Sequence, residues 1–271
     1  MQGIQNFIPT ALKAEYLSLL LQVGFDTLDF GSFVSPRVIP QMKDTAEVLK
    51  KLNLSDTDTK LLAIVANKRG AEEASCFAEI SYLGFPLSAS ETFQKRNTNS
   101  SIEESLITIE HIQSICEKTH KEVVIYLSMG FGNPYVDPWN REIVEIITSE
   151  LYQRNIRIVS LSDTTGVSDP AKINYLFPYL VSSFPDIEFG MHLHSTPDSA
   201  SEKIKAAWES GCRRFDSALR GFGGCPMAEN HLTGNIATES LIYFLNEKQE
   251  NLKLDMDSWK KAVDFSGKIF G

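Results

Sequence analysis

Short β-like runs alternate with longer amphipathic runs along most of this 271-residue chain, and that alternation constrains the fold more than any other feature. A strand-length run followed by a helix-length run is a β-α unit, and successive units lay their strands parallel. The β-like runs fall at 25–30, 61–66, 86–89, 123–128, 156–161, 187–192 and 213–218. Helical spacing of apolar residues marks 10–23, where Leu12, Tyr16, Leu19, Leu20 and Val23 recur, then 102–118, 141–154, 170–184, 199–210, 236–246 and 256–269. The second of these opens on Ser100 and Ser101 with Glu103 and Glu104 in its first turn, and the fifth stops before Gly211. No linker-like stretch or tandem repeat interrupts the series, so a single domain over 1–271 is expected. An α/β barrel of about 250 residues suits this length. A closed eight-stranded barrel needs one strand more than the seven runs supply, whereas an open doubly wound sheet accepts an odd count.

Charge excludes some partners. With 26 basic against 35 acidic residues the formal net charge is −9, which argues against a nucleic-acid backbone as ligand. No apolar run has the length a bilayer requires, and no charged-then-apolar leader opens the chain. Cys76, Cys116, Cys212 and Cys225 show no C-x-x-C spacing, so neither a zinc ribbon nor a disulfide scaffold is expected. These features predict a soluble protein of a reducing compartment, the cytoplasm.

Three polar clusters fall where β-like runs end. His192-Leu193-His194 follows 187–190, and strand alternation puts both imidazoles on one face. Such a pair suits a divalent metal, or it is two strand-end histidines satisfied by hydrogen bonds. Gly221-Phe222-Gly223-Gly224-Cys225-Pro226 follows the last run; its cysteine is either an acid or nucleophile held on a glycine loop, or an incidental thiol in a turn. Asn235, soon after, is either the N-cap of the following helix or a cation ligand. Ser160-Leu161-Ser162-Asp163-Thr164-Thr165-Gly166 is either a helix-initiating turn or the seat of a proton-handling carboxylate, Asp163. Polar clusters at the ends of three different strands are what a barrel active site requires.

Together with Gly31-Ser32-Phe33-Val34-Ser35-Pro36-Arg37, Pro40-Gln41-Met42, Ser90-Glu91-Thr92-Phe93 with Asn97, Ser101-Ile102-Glu103-Glu104-Ser105, Gly132-Asn133-Pro134-Tyr135 and Gly234-Asn235-Ile236-Ala237-Thr238-Glu239, these segments resemble the 3-hydroxy-3-methylglutaryl-CoA lyase family. That family lies within the metal-dependent aldolase and lyase superfamily of barrel enzymes. The resemblance implies a TIM (β/α)8 barrel whose first strand is missing or truncated in this chain. It also implies cleavage of 3-hydroxy-3-methylglutaryl-CoA to acetoacetate and acetyl-CoA with a divalent metal, Mg²⁺ or Mn²⁺. Metal ligands would be His192, His194 and Asn235; catalytic residues Cys225, His192 and Asp163; substrate contacts Gln2, Asp29, Ser32, Asn97 and Thr164. By the same analogy the partner is a small acyl-CoA and the assembly a homodimer.

The family's fourth metal ligand comes from an Arg-Asp pair ending its first strand, and aligning Met1-Gln2 with the residues that follow places that pair just before Met1. The expectation is therefore that Met1 is an internal methionine of a longer protein. Other departures are a loop from Cys225 to Asn235 longer by one residue than in the best-known members, Val124 where some members carry arginine, and Met129 and Asn133 where some carry cysteines. Two alternatives stay open: another aldolase or Claisen-type synthase of the superfamily, and a catalytically impaired homologue.

Overall fold

The computed structural model describes residues 1–4, 6–224 and 233–270. In chain order the elements begin with helix α1 (Thr10–Val23), strand β1 (Thr27–Ser32), a 3-10 turn (Pro40–Met42), α2 (Thr45–Leu49), β2 (Lys60–Ile64), α3 (Lys68–Ser75) and β3 (Ile80–Ser88). Next come α4 (Glu91–Thr98), α5 (Ile102–Thr119), β4 (Glu122–Ser128), α6 (Arg141–Gln153), β5 (Ile158–Asp163), α7 (Pro170–Ser183), β6 (Glu188–Ser195) and α8 (Pro197–Glu209). The chain ends with β7 (Phe215–Asp216), a 3-10 turn (Leu219–Gly221), β8 (Gly234–Asn235), α9 (Thr238–Glu247) and α10 (Met256–Phe270). The alternation in the sequence is thus the alternation in the structure. Among the described residues no strand precedes α1.

Two compact units can be distinguished. The first comprises Met1–Gly84, Ile115–Glu122 and Glu250–Gly271. In it β1 pairs parallel with β2, and β2 with the start of β3, placing Leu62 opposite Asp29 and Tyr82. Helix α1 lies against α10, with the rings of Tyr16 and Phe265 stacked at 6.3 Å. The buried face of α1 is Lys13, Ala14, Tyr16, Leu17, Leu20, Leu21 and Val23, rotated from the stripe read in the sequence, so that Leu12 and Leu19 are only half-buried. The rotation is permitted because Lys13, at 2% exposure, is neutralised: its ammonium meets Asp44 Oδ1 at 2.6 Å and the main-chain oxygen of Gln41. Gln41 in turn clamps the segment before α1, accepting from Ile8 N at 2.9 Å and donating to the carbonyls of Ile4 and Asn6. The Pro40-Gln41-Met42 motif thus has a local structural task.

The second unit is Phe85–Ser114 with Val123–Gln249. Here β4, β5, β6 and β7 are parallel neighbours in sequence order, and β8 lies antiparallel on β6. The apolar residues of these strands, such as Val124, Ile125, Leu127, Val159, Leu161, Met191 and Leu193, are at most 2% exposed, as expected where helices cover a parallel sheet. Ser101 and Glu104 form the reciprocal cap read at the start of α5: Glu104 N donates to Ser101 Oγ at 3.0 Å and Ser101 N to Glu104 Oε2 at 2.8 Å.

Several boundaries differ from the sequence reading. β3 begins at Ile80 rather than 86, because Gly84 and Pro86 read as breakers; Leu83, Phe85 and Leu87, all under 2% exposed, hold that strand in place. β5 and β6 run on to Asp163 and Ser195, while β7 shrinks to two residues. The short helices α2, α3 and α4 were not legible from periodicity, since each offers few apolar side chains. Side-chain caps mark two of them: Asn67 accepts from Gly70 N and Ser90 from Phe93 N. No helix of the described residues is long and apolar enough to cross a membrane.

Candidate active site

Strands β5, β6 and β7 set Ser162, His192 and Asp216 side by side in register near their carboxyl ends. Alternation then gives Ser160, Gly190, His192 and His194 the same face. Because Gly190 has no side chain, Ser160 Oγ reaches across β6 to Asp216 Oδ2 at 2.9 Å. A methyl group at Gly190 would also meet the Arg214 side chain at 2.9 Å, so that side chain would have to shift. Asp216 Oδ2 lies 3.3 Å from His192 Nδ1, a close contact without hydrogen-bond alignment that becomes an ion pair only when the ring is protonated. Burial works against the Asp216 carboxylate, but the His192 ring, the Ser160 hydroxyl and the Arg214 charge hold it below its ordinary range. Tyr126 presents an edge-to-face ring to His192 at 5.7 Å.

His194 is the more enclosed imidazole, 4% exposed, with its ring centroid 5.3 Å from that of His192. Its Nδ1 lies 3.0 Å from the main-chain oxygen of Thr164. A carbonyl only accepts, so Nδ1 carries the proton and Nε2 is left with its lone pair. Burial and the neighbouring His192 push its pKa down to about 4, leaving the ring neutral at neutral pH. Asn235 on β8 is in register with His194 across the antiparallel pair. Its amide nitrogen donates to Phe222 O at 3.1 Å, which leaves the amide oxygen as the group to meet a cation. The N-cap alternative for Asn235 is overturned, because the cap residue of α9 is Ala237. Gly223, at φ 114, admits this amide: a Cβ there would sit 2.6 Å from Asn235 Nδ2.

Asp163, the last residue of β5, is 1% exposed. Its Oδ2 accepts from Ser168 N at 3.0 Å, from Ser168 Oγ at 2.5 Å and from Lys203 Nζ at 2.9 Å. Its Oδ1 is buried with no hydrogen-bond partner. Lys203 is itself 2% exposed and also donates to Gly166 O and to His194 O.

His192, His194, Thr164 and Asn235 are thus neighbours, with Asp163 joined to His194 through Lys203, and the Thr164 hydroxyl accepts from Met129 N at 3.1 Å. Asn97 is half-buried on α4 of the same unit. In the first unit, Gln2 is exposed in a turn, Asp29 is exposed on β1, and Ser32 is buried with its Oγ accepting from Val34 N. Cys225 lies outside the described residues. Asp216, Tyr126 and Lys203 were missed in the sequence. Lys203 had left a signal, a lysine within the Ala200, Ile204 and Ala207 stripe of an amphipathic helix; Asp216 had only its place in a β-like run.

Among the described residues no three of His, Cys, Asp and Glu converge to hold a metal ion. The candidate donors are instead two imidazoles and an amide, and they suit a divalent cation: the tautomer of His194 is fixed with Nε2 available, Asn235 stands across from it, and a buried carboxylate oxygen nearby lacks a partner.

Parallel strands joined by helices, with polar side chains gathered at their carboxyl ends, define the α/β class to which TIM-barrel lyases belong. The HMGL-like family model matches residues 1–266, and the chain belongs to that family. It is 34% identical over 268 residues to the cytoplasmic 3-hydroxy-3-methylglutaryl-CoA lyase of Rattus norvegicus, covering 97% of this chain and 77% of that protein. The hydroxymethylglutaryl-CoA lyase structure from Pseudomonas aeruginosa superposes with a TM-score of 0.91 at 31% identity, over 100% of this chain and 89% of the other. A lyase structure from Acinetobacter baumannii, solved with coenzyme A and 3-methylmalate, gives a TM-score of 0.88 at 28% identity, covering 97% and 85%.

Proposed function

We propose that this chain is a carbon–carbon lyase that cleaves 3-hydroxy-3-methylglutaryl-CoA to acetoacetate and acetyl-CoA, using Mg²⁺ or Mn²⁺ held by His192, His194 and Asn235. The observation that carries this reading is His194: a neutral ring, its Nδ1 proton committed to Thr164, facing Asn235 across a strand pair in a member of the lyase family. When bound, the cation would polarise the substrate's hydroxyl and carboxylate oxygens.

The residues supply the rest. His192 is placed to take the hydroxyl proton when its Nε2 is not engaged by the cation, and Asp216 beside its Nδ1 would stabilise the charged ring. The C2–C3 electron pair then leaves as the enolate of acetyl-CoA, and the hydroxyl carbon becomes the ketone of acetoacetate. Cys225 returns a proton to the enolate carbon. Asp163, anchored through Oδ2 by Lys203 and Ser168, supports the network as a buried carboxylate. The partner is accordingly a small acyl-CoA.

The test is product analysis of the purified protein with Mg²⁺ or Mn²⁺ and 3-hydroxy-3-methylglutaryl-CoA. Equimolar acetoacetate and acetyl-CoA, abolished by chelation, support the proposal. Inertness toward this thioester alongside condensation of a 2-oxo acid with acetyl-CoA would replace it by the synthase alternative.

A further inference from the structure

Burying an ammonium costs several kcal/mol unless its charge is paired and every N–H finds an acceptor. Lys203 meets both conditions inside the apolar stripe of α8. Its three acceptors are Asp163 Oδ2 at 2.9 Å, Gly166 O at 3.1 Å and His194 O at 2.9 Å. Each belongs to a different part of the site: the end of β5, the turn after it, and the main chain of the buried imidazole on β6.

That turn also contains Thr164, whose carbonyl accepts the Nδ1 proton of His194. The contacts therefore close a loop. His194 is held from its ring by Thr164 and from its backbone by Lys203, and Lys203 braces Thr164 by gripping Asp163, just before it, and Gly166, two residues after it. Any buried lysine needs a carboxylate and two further acceptors. This one also spans the two main-chain segments whose separation sets the ring's direction.

We propose that Lys203 is a positioning residue that fixes the tautomer and direction of the His194 ring, and through them the affinity of the site for a divalent cation. The second half of this proposal rests on the reading of His194 as a ligand. The partners of a ligand histidine commonly change metal affinity by 10–100-fold when removed.

The experiment compares wild type with Lys203→Met, and with Lys203→Met combined with Asp163→Asn, which avoids leaving a buried carboxylate unpaired. Two-bond ¹H–¹⁵N NMR of metal-free, histidine-labelled protein reads the ring, and titration with Mn²⁺ reads the site. In wild type His194 should give one Nδ1–H tautomer, and in each variant that folds a mixture of both, with Mn²⁺ bound at least about tenfold more weakly. A single Nδ1–H tautomer and Mn²⁺ affinity within twofold of wild type in the neutral double variant would overturn the proposal, even if its melting temperature fell. If wild type took up no Mn²⁺, the cation reading would fail separately, and the tautomer comparison would still decide what Lys203 does.

Discussion

Asp216 Oδ2 stands 3.3 Å from His192 Nδ1 and is held there by the Ser160 hydroxyl 2.9 Å away. The strand register dictates this triangle: Ser160 faces Gly190, and Asp216 faces His192 one step further along the same side of β6. Removing the carboxylate leaves the imidazole without a partner for its protonated state. Asp216→Asn should therefore lower turnover by about 10–100-fold, with a smaller change in KM. Steady-state kinetics on the purified variant checks this, and an unchanged kcat would remove Asp216 from the account.

Gly190 makes that triangle possible by being small. Alanine there would press on Arg214 Cγ and Cδ at 2.9 Å and on its carbonyl at 3.1 Å. Overpacking of this kind costs about 1–3 kcal/mol, and Gly190→Ala should show a loss of that size in urea denaturation. A neutral result would mean that the Arg214 side chain relocates freely.

His194 links the site to pH. Its folded-state pKa of about 4 lies below the ordinary histidine value, chiefly through burial and the neighbouring His192. Between about pH 6.5 and 4 the unfolded chain gains a proton that the folded chain refuses, so stability falls as the pH is lowered through that window. The contribution is on the order of 3 kcal/mol, and His194→Gln should flatten the corresponding slope in a plot of unfolding free energy against pH. Parallel slopes for variant and wild type would show that His194 is not held neutral.

Asp137 gives a second pH signature, further down. Burial opposes its ionisation, but hydrogen bonds from Ser90 Oγ and from Thr92 N and Oγ1 prevail and hold the carboxyl below its ordinary range. A lowered pKa stabilises the fold above the usual carboxylate range, and that stability is lost as the pH falls through the folded value. Asp137→Asn should thus have a lower Tm than wild type at pH 7 and converge with it in acid. A gap that persists under acid conditions would assign the loss to packing instead.

Much of this was written in the order of the residues. Period-2 runs followed by period-3.6 runs define parallel strands with helices between them. The spacing of His192 and His194 places both rings on one face, because a strand allows nothing else. Register was not legible: that Asp216 stands beside His192, or Asn235 beside His194, depends on pairing between segments about 20–40 residues apart, which no local pattern records. Lys203 and Lys13 were hidden for another reason. Lysine reads as a solvent-facing residue, and only its acceptors, on other elements, make a buried position tolerable. The Gln41 clamp escaped notice likewise, since the motif around it pointed to the family and not to the backbone groups it satisfies.

The central claim is that two imidazoles and one amide gather around a divalent ion. Pulsed electron paramagnetic resonance of Mn²⁺ added to protein carrying ¹⁵N-histidine tests it most directly. The account predicts one tightly held ion per chain coupled to two imidazole nitrogens, with one coupling lost in His192→Gln, one in His194→Gln, and weaker retention of the ion in Asn235→Ala. An ion that shows no histidine coupling, or whose couplings survive both histidine substitutions, would contradict it.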